Sequence, residues 1–167
     1  TDESIKSILA MPKEIEKNNF LFFTTKAGVV KRTALSKYEN IKSNGLIAIK
    51  LQDKDNLVWV NKTSGSDHIL LVSRDGKSIR FHESDVRPTD RDTQGVRGIL
   101  LKGDDYVISM EAFEPEEPVS SDKRVKLFRD LLIVTENGMG KRTPLPEYPL
   151  QNRSGQGLKV CETSDKT

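Results

Sequence analysis

Three short apolar runs, at residues 20–25, 69–73 and 131–135, each lead into a glycine turn and out into a second short run. The runs are rich in β-branched and aromatic residues, which suit a pleated, half-buried surface and predict strands. The turns are Ala27-Gly28, Asp75-Gly76 and Asn137-Gly138. Such dipeptides predict two-residue hairpins in which both turn positions take positive φ. The partner strands are expected at residues 29–33, 77–81 and 139–143. After a longer polar loop comes a third apolar run, at 46–51, 96–101 and 158–161. An acidic turn (Asp53-Lys54-Asp55, Asp104-Asp105) then leads to a fourth, at 57–61 and 106–110. No stretch sustains a helical period, so the pattern predicts an all-β chain with little helix.

Aligned on Gly28, Gly76 and Gly138, these runs form an internal repeat. The basic residue four places after the glycine recurs as Arg32, Arg80 and Arg142, and the residue ten places on is Tyr38, Val86 and Tyr148. A second glycine follows as Gly45, Gly95 and the pair Gly155 and Gly157. Four strands in roughly 45 residues is the arithmetic of a propeller blade. The division is a blade over 19–63, a second over 67–111, an acidic and mobile insertion over 112–128, and an incomplete blade over 129–161. Residues 1–11 resemble the fourth strand of the second repeat in their acidic start and alternation. They read as the last strand of a preceding blade, so about three blades are expected in a chain cut from a longer array.

Composition narrows the function classes. No apolar run approaches the ~20 residues that a bilayer span needs, and no secretory leader is recognisable. The single cysteine, Cys161, rules out an internal disulfide framework and fits a reducing cytosol. It is expected to be a small core residue. His68 and His82 lack metal-ligand spacing with each other or with Cys161 and read as ordinary surface or hairpin residues. Trp59 is expected at a blade interface. No paired carboxylates, nucleophile motif or phosphate-binding loop is present, so no catalytic residue, metal site or cofactor is expected.

The net charge of +2 conceals a segregation. The stretch Glu111–Asp122 carries five acids, Glu111, Glu114, Glu116, Glu117 and Asp122, and no base. Basic residues recur at related places in the repeats. Because repeats stack, recurring positions form a stripe, and a basic stripe suits a phosphate backbone. The candidate contacts are Lys31, Lys37, Lys42, Arg87, Arg91, Arg97, Lys141, Arg153 and Lys159, with Gly155 and Gly157. Arg153 and its two glycines support two readings: a phosphate held by a guanidinium fork and bare backbone N–H groups, or a turn into the next strand. Lys31-Arg32 and Lys141-Arg142 lie on strands, so one member of each pair at most faces the same ligand. Arg32, Arg80 and Arg142 are expected to brace blade contacts with acids such as Glu39, Glu83 or Glu147.

The run LLIVTENGMGKRTPLPEYPLQNRSGQG, Leu131 to Gly157, resembles the repeat of the C-terminal domain of the DNA gyrase A subunit. Topoisomerase IV A subunits carry a similar domain. Residues 40–51 and 80–99 resemble two successive inner repeats, and the resemblance covers the chain except its acidic insertion. It implies a β-pinwheel, a propeller-like disc whose blades exchange strands. It also implies wrapping of double-stranded DNA round a basic rim. The catalytic tyrosine, the magnesium site and the ATPase would lie outside this chain, in the gyrase A core and the B subunit, in the bacterial cytoplasm near the nucleoid. The family's seven-residue box, Q-R-R-G-G-[RK]-G, has its nearest match at Gln151–Gly157, which keeps the first glutamine, one arginine and two glycines.

Competing with this is a propeller-type protein-interaction scaffold, which would bind a protein partner and leave DNA unretained. Open strand edges would also invite pairing with a second copy. The acidic insertion, next to Lys123, Arg124, Lys126 and Arg129, is expected to fold over the basic rim and compete with DNA. Deleting Phe113–Asp122 should then tighten DNA binding at low salt. Unchanged affinity would make it a plain solvated loop.

Overall fold

A computed structural model of the chain describes residues 4–11, 18–40, 43–115 and 129–160. The insertion from residue 116 onward, Lys42 and Cys161 lie outside the described residues. Ten strands and three single-turn 3-10 segments follow one another, with no α-helix among the described residues. The first hairpin is β1 (Phe20–Thr25) and β2 (Val29–Ala34); β3 (Leu57–Thr63) returns beside β1. The second repeat gives β4 (His68–Ser73), β5 (Lys77–His82), β6 (Val96–Arg97) and β7 (Val107–Phe113). The third gives β8 (Asp130–Val134), β9 (Gly140–Pro144) and β10 (Leu158–Lys159).

The hairpin loops differ from the two-residue turns expected. Each glycine N–H bonds back three residues, to Thr25, Ser73 and Thr135. Only the glycines take positive φ, between 75° and 81°; Ala27, Asp75 and Asn137 do not. This is the three-residue loop that ends in a left-handed glycine.

Sheet order shows how the repeats are joined. The first sheet runs β3-β1-β2-β6 and the second β10-β5-β4-β7. The outer strand beside β2 therefore belongs to the second repeat, and the one beside β5 belongs to the third. Val96 lies opposite Val30 and Arg97 opposite Val29; Leu158 lies opposite Ser78 and Lys159 opposite Lys77. A blade is thus not one continuous repeat, since each described four-stranded sheet borrows a strand from the next. This is the strand exchange that the resemblance implied. The approach is close enough to require glycine. A Cβ on Gly157, whose φ is +70°, would collide with the Ser78 carbonyl, and one on Gly95 would collide with that of Val30.

Residues 46–51 align with the borrowed strands but form none. Their counterparts pair with the hairpin of the preceding repeat, and among the described residues no hairpin precedes Phe20. Residues 4–11 likewise form no strand, and among the described residues no ladder partner lies alongside. Ile5 and Ile8 are exposed, while Leu9 packs against the apolar cluster of Leu21, Phe23 and Tyr38. The borrowed strands are also shorter than expected, two residues each. Beyond Arg97 the chain pulls away, with Gly98 and Ile99 both donating to the Gly28 carbonyl.

Between the first two sheets lies a core of Phe22, Val30, Ile69, Leu71, Ile79, Phe81, Val86, Ile99, Val107 and Met110. Side chains from both repeats interleave there, each contributing about 1.5–3 kcal/mol by leaving water. A second core, with Leu21, Phe23, Leu35 and Tyr38, covers the other face of the first sheet. A third, around Leu70, Leu145 and Tyr148, joins the second sheet to the third hairpin.

Gly157→Ala should cost about 2–4 kcal/mol, from left-handed backbone strain and the clash with Ser78 together. Gly45→Ala, at φ +76° with open space around it, should cost only the strain, about 1–2 kcal/mol. Urea unfolding of both variants checks this; equal losses would contradict the close-packing role.

Candidate nucleic-acid interface

The basic residues divide into two groups, those that hold repeats together and those that face solvent. Lys31, expected on the rim, is only 1% exposed. Its ammonium donates to the Ala48 carbonyl (2.8 Å) and the Arg91 carbonyl (2.7 Å), and lies over the Phe23 ring. Burial lowers its pKa to about 8 against the pull of Asp92 and Asp90. It ties its own repeat to the arm of the next. Its counterpart Ile79 is core, and Lys141 is exposed on β9, where no described repeat packs.

Arg32 and Arg80 brace the contacts between repeats. Arg32 meets Glu83 at 3.5 Å, and Glu83 is fully buried. That carboxylate also accepts from Thr63 Oγ1 (2.7 Å), Gly65 N (2.6 Å) and Asp67 N (2.8 Å), so the desolvated charge is matched by donors. Arg80 reaches across to backbone carbonyls. It donates to the carbonyls of Leu145 (3.3 Å) and Tyr148 (3.1 Å) in the third repeat, and to His68 Nδ1 (2.7 Å). The carbonyls of Arg32 and Arg80 in turn accept from Thr89 N and Gln151 N. Arg142 makes no such brace; it is exposed and pairs with Asp130 at 2.8 Å in its own hairpin.

His68, expected as a surface or hairpin residue, is a hairpin residue opposite His82 and is buried between Arg80, the His82 ring and Phe113. Because a guanidinium only donates, Nδ1 must be the acceptor and the proton sits on Nε2. Burial, then Arg80, then His82 lower its pKa to about 4, outweighing Asp67. Trp59 lies where an interface residue should, its Nε1–H donating to the Ile108 carbonyl of β7 (2.9 Å), though it remains partly exposed.

The other candidates lie nearer the surface. Strands β3 and β7 are where neighbouring sheets approach each other, and β6 and β10 occupy the opposite sheet edges. Arg97 on β6 and Lys159 on β10 hold the same register position, and both are exposed. Lys77, opposite Lys159, adds a cation that the repeat comparison missed, since its counterparts are Val29 and Met139. Arg87 is exposed, Arg91 is half-buried, and Lys37 is exposed but pairs with Asp90 at 3.0 Å.

The Arg153 turn is built into the fold. Arg153 donates to the carbonyls of Asp85 (3.3 Å) and Arg97. Ser154 N bonds to the Gly98 carbonyl, and the Gly155 carbonyl accepts from Leu100 N. Gly157 serves close packing. The Gln151–Gly157 segment is thus a latch from the third repeat onto the second. Among the described residues no cluster of side chains is fit to hold a metal ion, and no helix is long and apolar enough to cross a membrane.

A family model described as "DNA gyrase C-terminal domain, beta-propeller" matches residues 19–64, 67–114 and 129–166. The DNA gyrase A subunit of Staphylococcus aureus (strain MRSA252) is 41% identical over 165 residues, 99% of this chain. The chain spans 18% of that protein's length. A solved structure of a DNA gyrase A C-terminal domain superposes with a TM-score of 0.76 at 29% identity, covering 93% of this chain and 48% of the other. A C-terminal domain of DNA topoisomerase IV gives 0.76 at 28%, covering 89% and 43%.

The buried histidine makes a pH prediction. With the folded pKa lowered, the unfolded chain binds more protons between about pH 6.5 and 4, so stability falls as pH drops through that window. NMR titration should place the His68 midpoint near 4, with the urea midpoint falling over the same range; titration near 6.5 would contradict the burial.

Proposed function

Because the chain belongs to the DNA gyrase C-terminal domain family, we propose that it binds and wraps duplex DNA for a bacterial type IIA topoisomerase. The observation that carries this reading is the repeated placement of Arg97 and Lys159. One cation sits on each borrowed strand, at one register, on the sheet edge away from the junction of β3 and β7. Phosphates recur along a duplex, and cations repeated by the array meet them without reading bases. Arg87, Lys37 and Lys141 extend the charged surface. Bending the duplex costs about 1–6 kcal/mol over 20–30 base pairs, so several contacts must act together.

In this reading the buried cations act indirectly. Lys31, Arg32 and Arg80 hold the angle between repeats, and that angle sets the curvature offered to DNA. The bent segment is then presented to a cleavage core, which together with the ATP-using B subunit supplies the catalysis. Negative supercoiling in the bacterial cytoplasm is the outcome. The gyrase identity of 41% across the chain favours this enzyme over topoisomerase IV.

Gel-shift titration with a duplex of ~140 base pairs tests the reading. Between about 50 and 200 mM salt, four to six phosphate contacts predict a log–log slope of about −4 to −5, independent of sequence. Charge reversal of Arg97 and Lys159 together should make the slope shallower by about 2. A slope near zero, or one unchanged by the reversal, would overturn it.

A further inference from the structure

We propose that Arg153 is a positioning residue for DNA binding: its guanidinium fixes the strand that carries Arg97, and Arg97 meets the phosphate. That role rests on the DNA-wrapping reading and adds how one of its two central cations is placed. It also chooses between the two sequence readings of Arg153, against a phosphate held by its own fork.

After the turn Glu83–Asp85, the second repeat sends an arm, residues 87–96, across to the first repeat and back along β6. On the first repeat Thr89 N bonds to the Arg32 carbonyl, and Val96 pairs with Val30. Both feet of that arm meet one side chain of the third repeat. Arg153 Nε donates to the Asp85 carbonyl at 3.3 Å, and Nη1 donates to the Arg97 carbonyl. A guanidinium holds its donors in a rigid plane, so one side chain sets the separation of the two feet.

The residues just beyond Arg97 are held from two sides. Gly98 N and Ile99 N donate to the Gly28 carbonyl of the first repeat. Ser154 N donates to the Gly98 carbonyl and Leu100 N to the Gly155 carbonyl, both at 2.8 Å. Arg97 therefore stands where three repeats meet. It belongs to the second, pairs with Val29 of the first and is clasped by the third. Its backbone is fixed and the residue is exposed.

The preceding seam shows the same join made with a different cation. There Lys50 N bonds to the Thr93 carbonyl, as Leu100 N bonds to that of Gly155. Lys31 reaches in from the hairpin to the carbonyls of Ala48 and Arg91, the counterparts of Gly98 and Arg153. At the second seam Ile79 replaces Lys31 and lies in the core, so the hairpin offers no ammonium. Arg153 brings a cation from the opposite side, and carbonyls again receive it.

Gel shifts with the ~140-base-pair duplex test this on the parent chain, Arg153→Lys, Arg97→Gln and the double variant. Lysine keeps the charge and loses the fork. Arg153→Lys should make the log–log salt slope shallower by about 1, as Arg97→Gln does. The double variant should lose no more than Arg97→Gln alone, because one residue acts through the other. Amide exchange without DNA gives a second readout. In Arg153→Lys the Gly98 and Leu100 amides should exchange about tenfold faster, while those of β1 and β4 keep the parent's rates. Circular dichroism verifies folding. A parent slope in Arg153→Lys, losses that add in the double variant, or unchanged exchange at Gly98 and Leu100 would overturn the proposal and leave the wrapping reading standing. A parent chain that retains no duplex at low salt would overturn the wrapping reading and the proposal with it.

Discussion

A strand edge buried without its hydrogen-bond partners is costly, and here the outer edges of β2 and β5 take their partner from the following repeat. The first sheet is complete only when Val96 and Arg97 lie against β2, and the second only when Leu158 and Lys159 lie against β5. Much else follows from that exchange. Gly95 and Gly157 must be bare because backbone meets backbone at the crossing. The Gln151–Gly157 latch and the Arg32 and Arg80 braces act on the same seam. Stability is then a property of neighbours, as in other repeat arrays, and no repeat is a folding unit alone.

The same constraint sorts the cations. One sequence position gives Lys31, Ile79 and Lys141, and another gives Arg32, Arg80 and Arg142. Where a following repeat packs down, the side chain is buried and must find carbonyls or a carboxylate. Where none does, it stays in water. The repeated basic pattern thus combines internal struts with a solvent-facing surface. In the proposed reading, the solvent-facing part, which includes Arg97 and Lys159, meets DNA.

The hairpins were legible from sequence because their signal is local: an apolar run, a glycine turn and a second run. Strands β1 to β5 fall within two residues of expectation for that reason. Hand-over was not legible in the residues, since a strand's partner is a non-local fact. Residues 46–51 and 96–101 look alike as apolar runs, and only Val96–Arg97 finds an edge. Burial of Lys31 was hidden similarly, because Arg91 O and Ala48 O reach it from distant loops. Glu83 was one of three acids considered as partner for the arginines. Its choice depends on Thr63, Gly65 and Asp67 converging on it, which spacing does not reveal. His68 occupies the position of Phe20, a hint of burial that its chemistry obscured.

The central claim is that buried cations set the array and exposed ones meet DNA. Lysine acetylation read by mass spectrometry, with and without the ~140-base-pair duplex at low salt, tests it most directly. The account predicts that Lys37, Lys141 and Lys159 label readily in the free chain and are protected by DNA. It predicts that Lys31 resists labelling in both states, although its lowered pKa would make it reactive if reagent reached it. Fast labelling of Lys31 that DNA then blocks, or exposed lysines indifferent to DNA, would contradict the account.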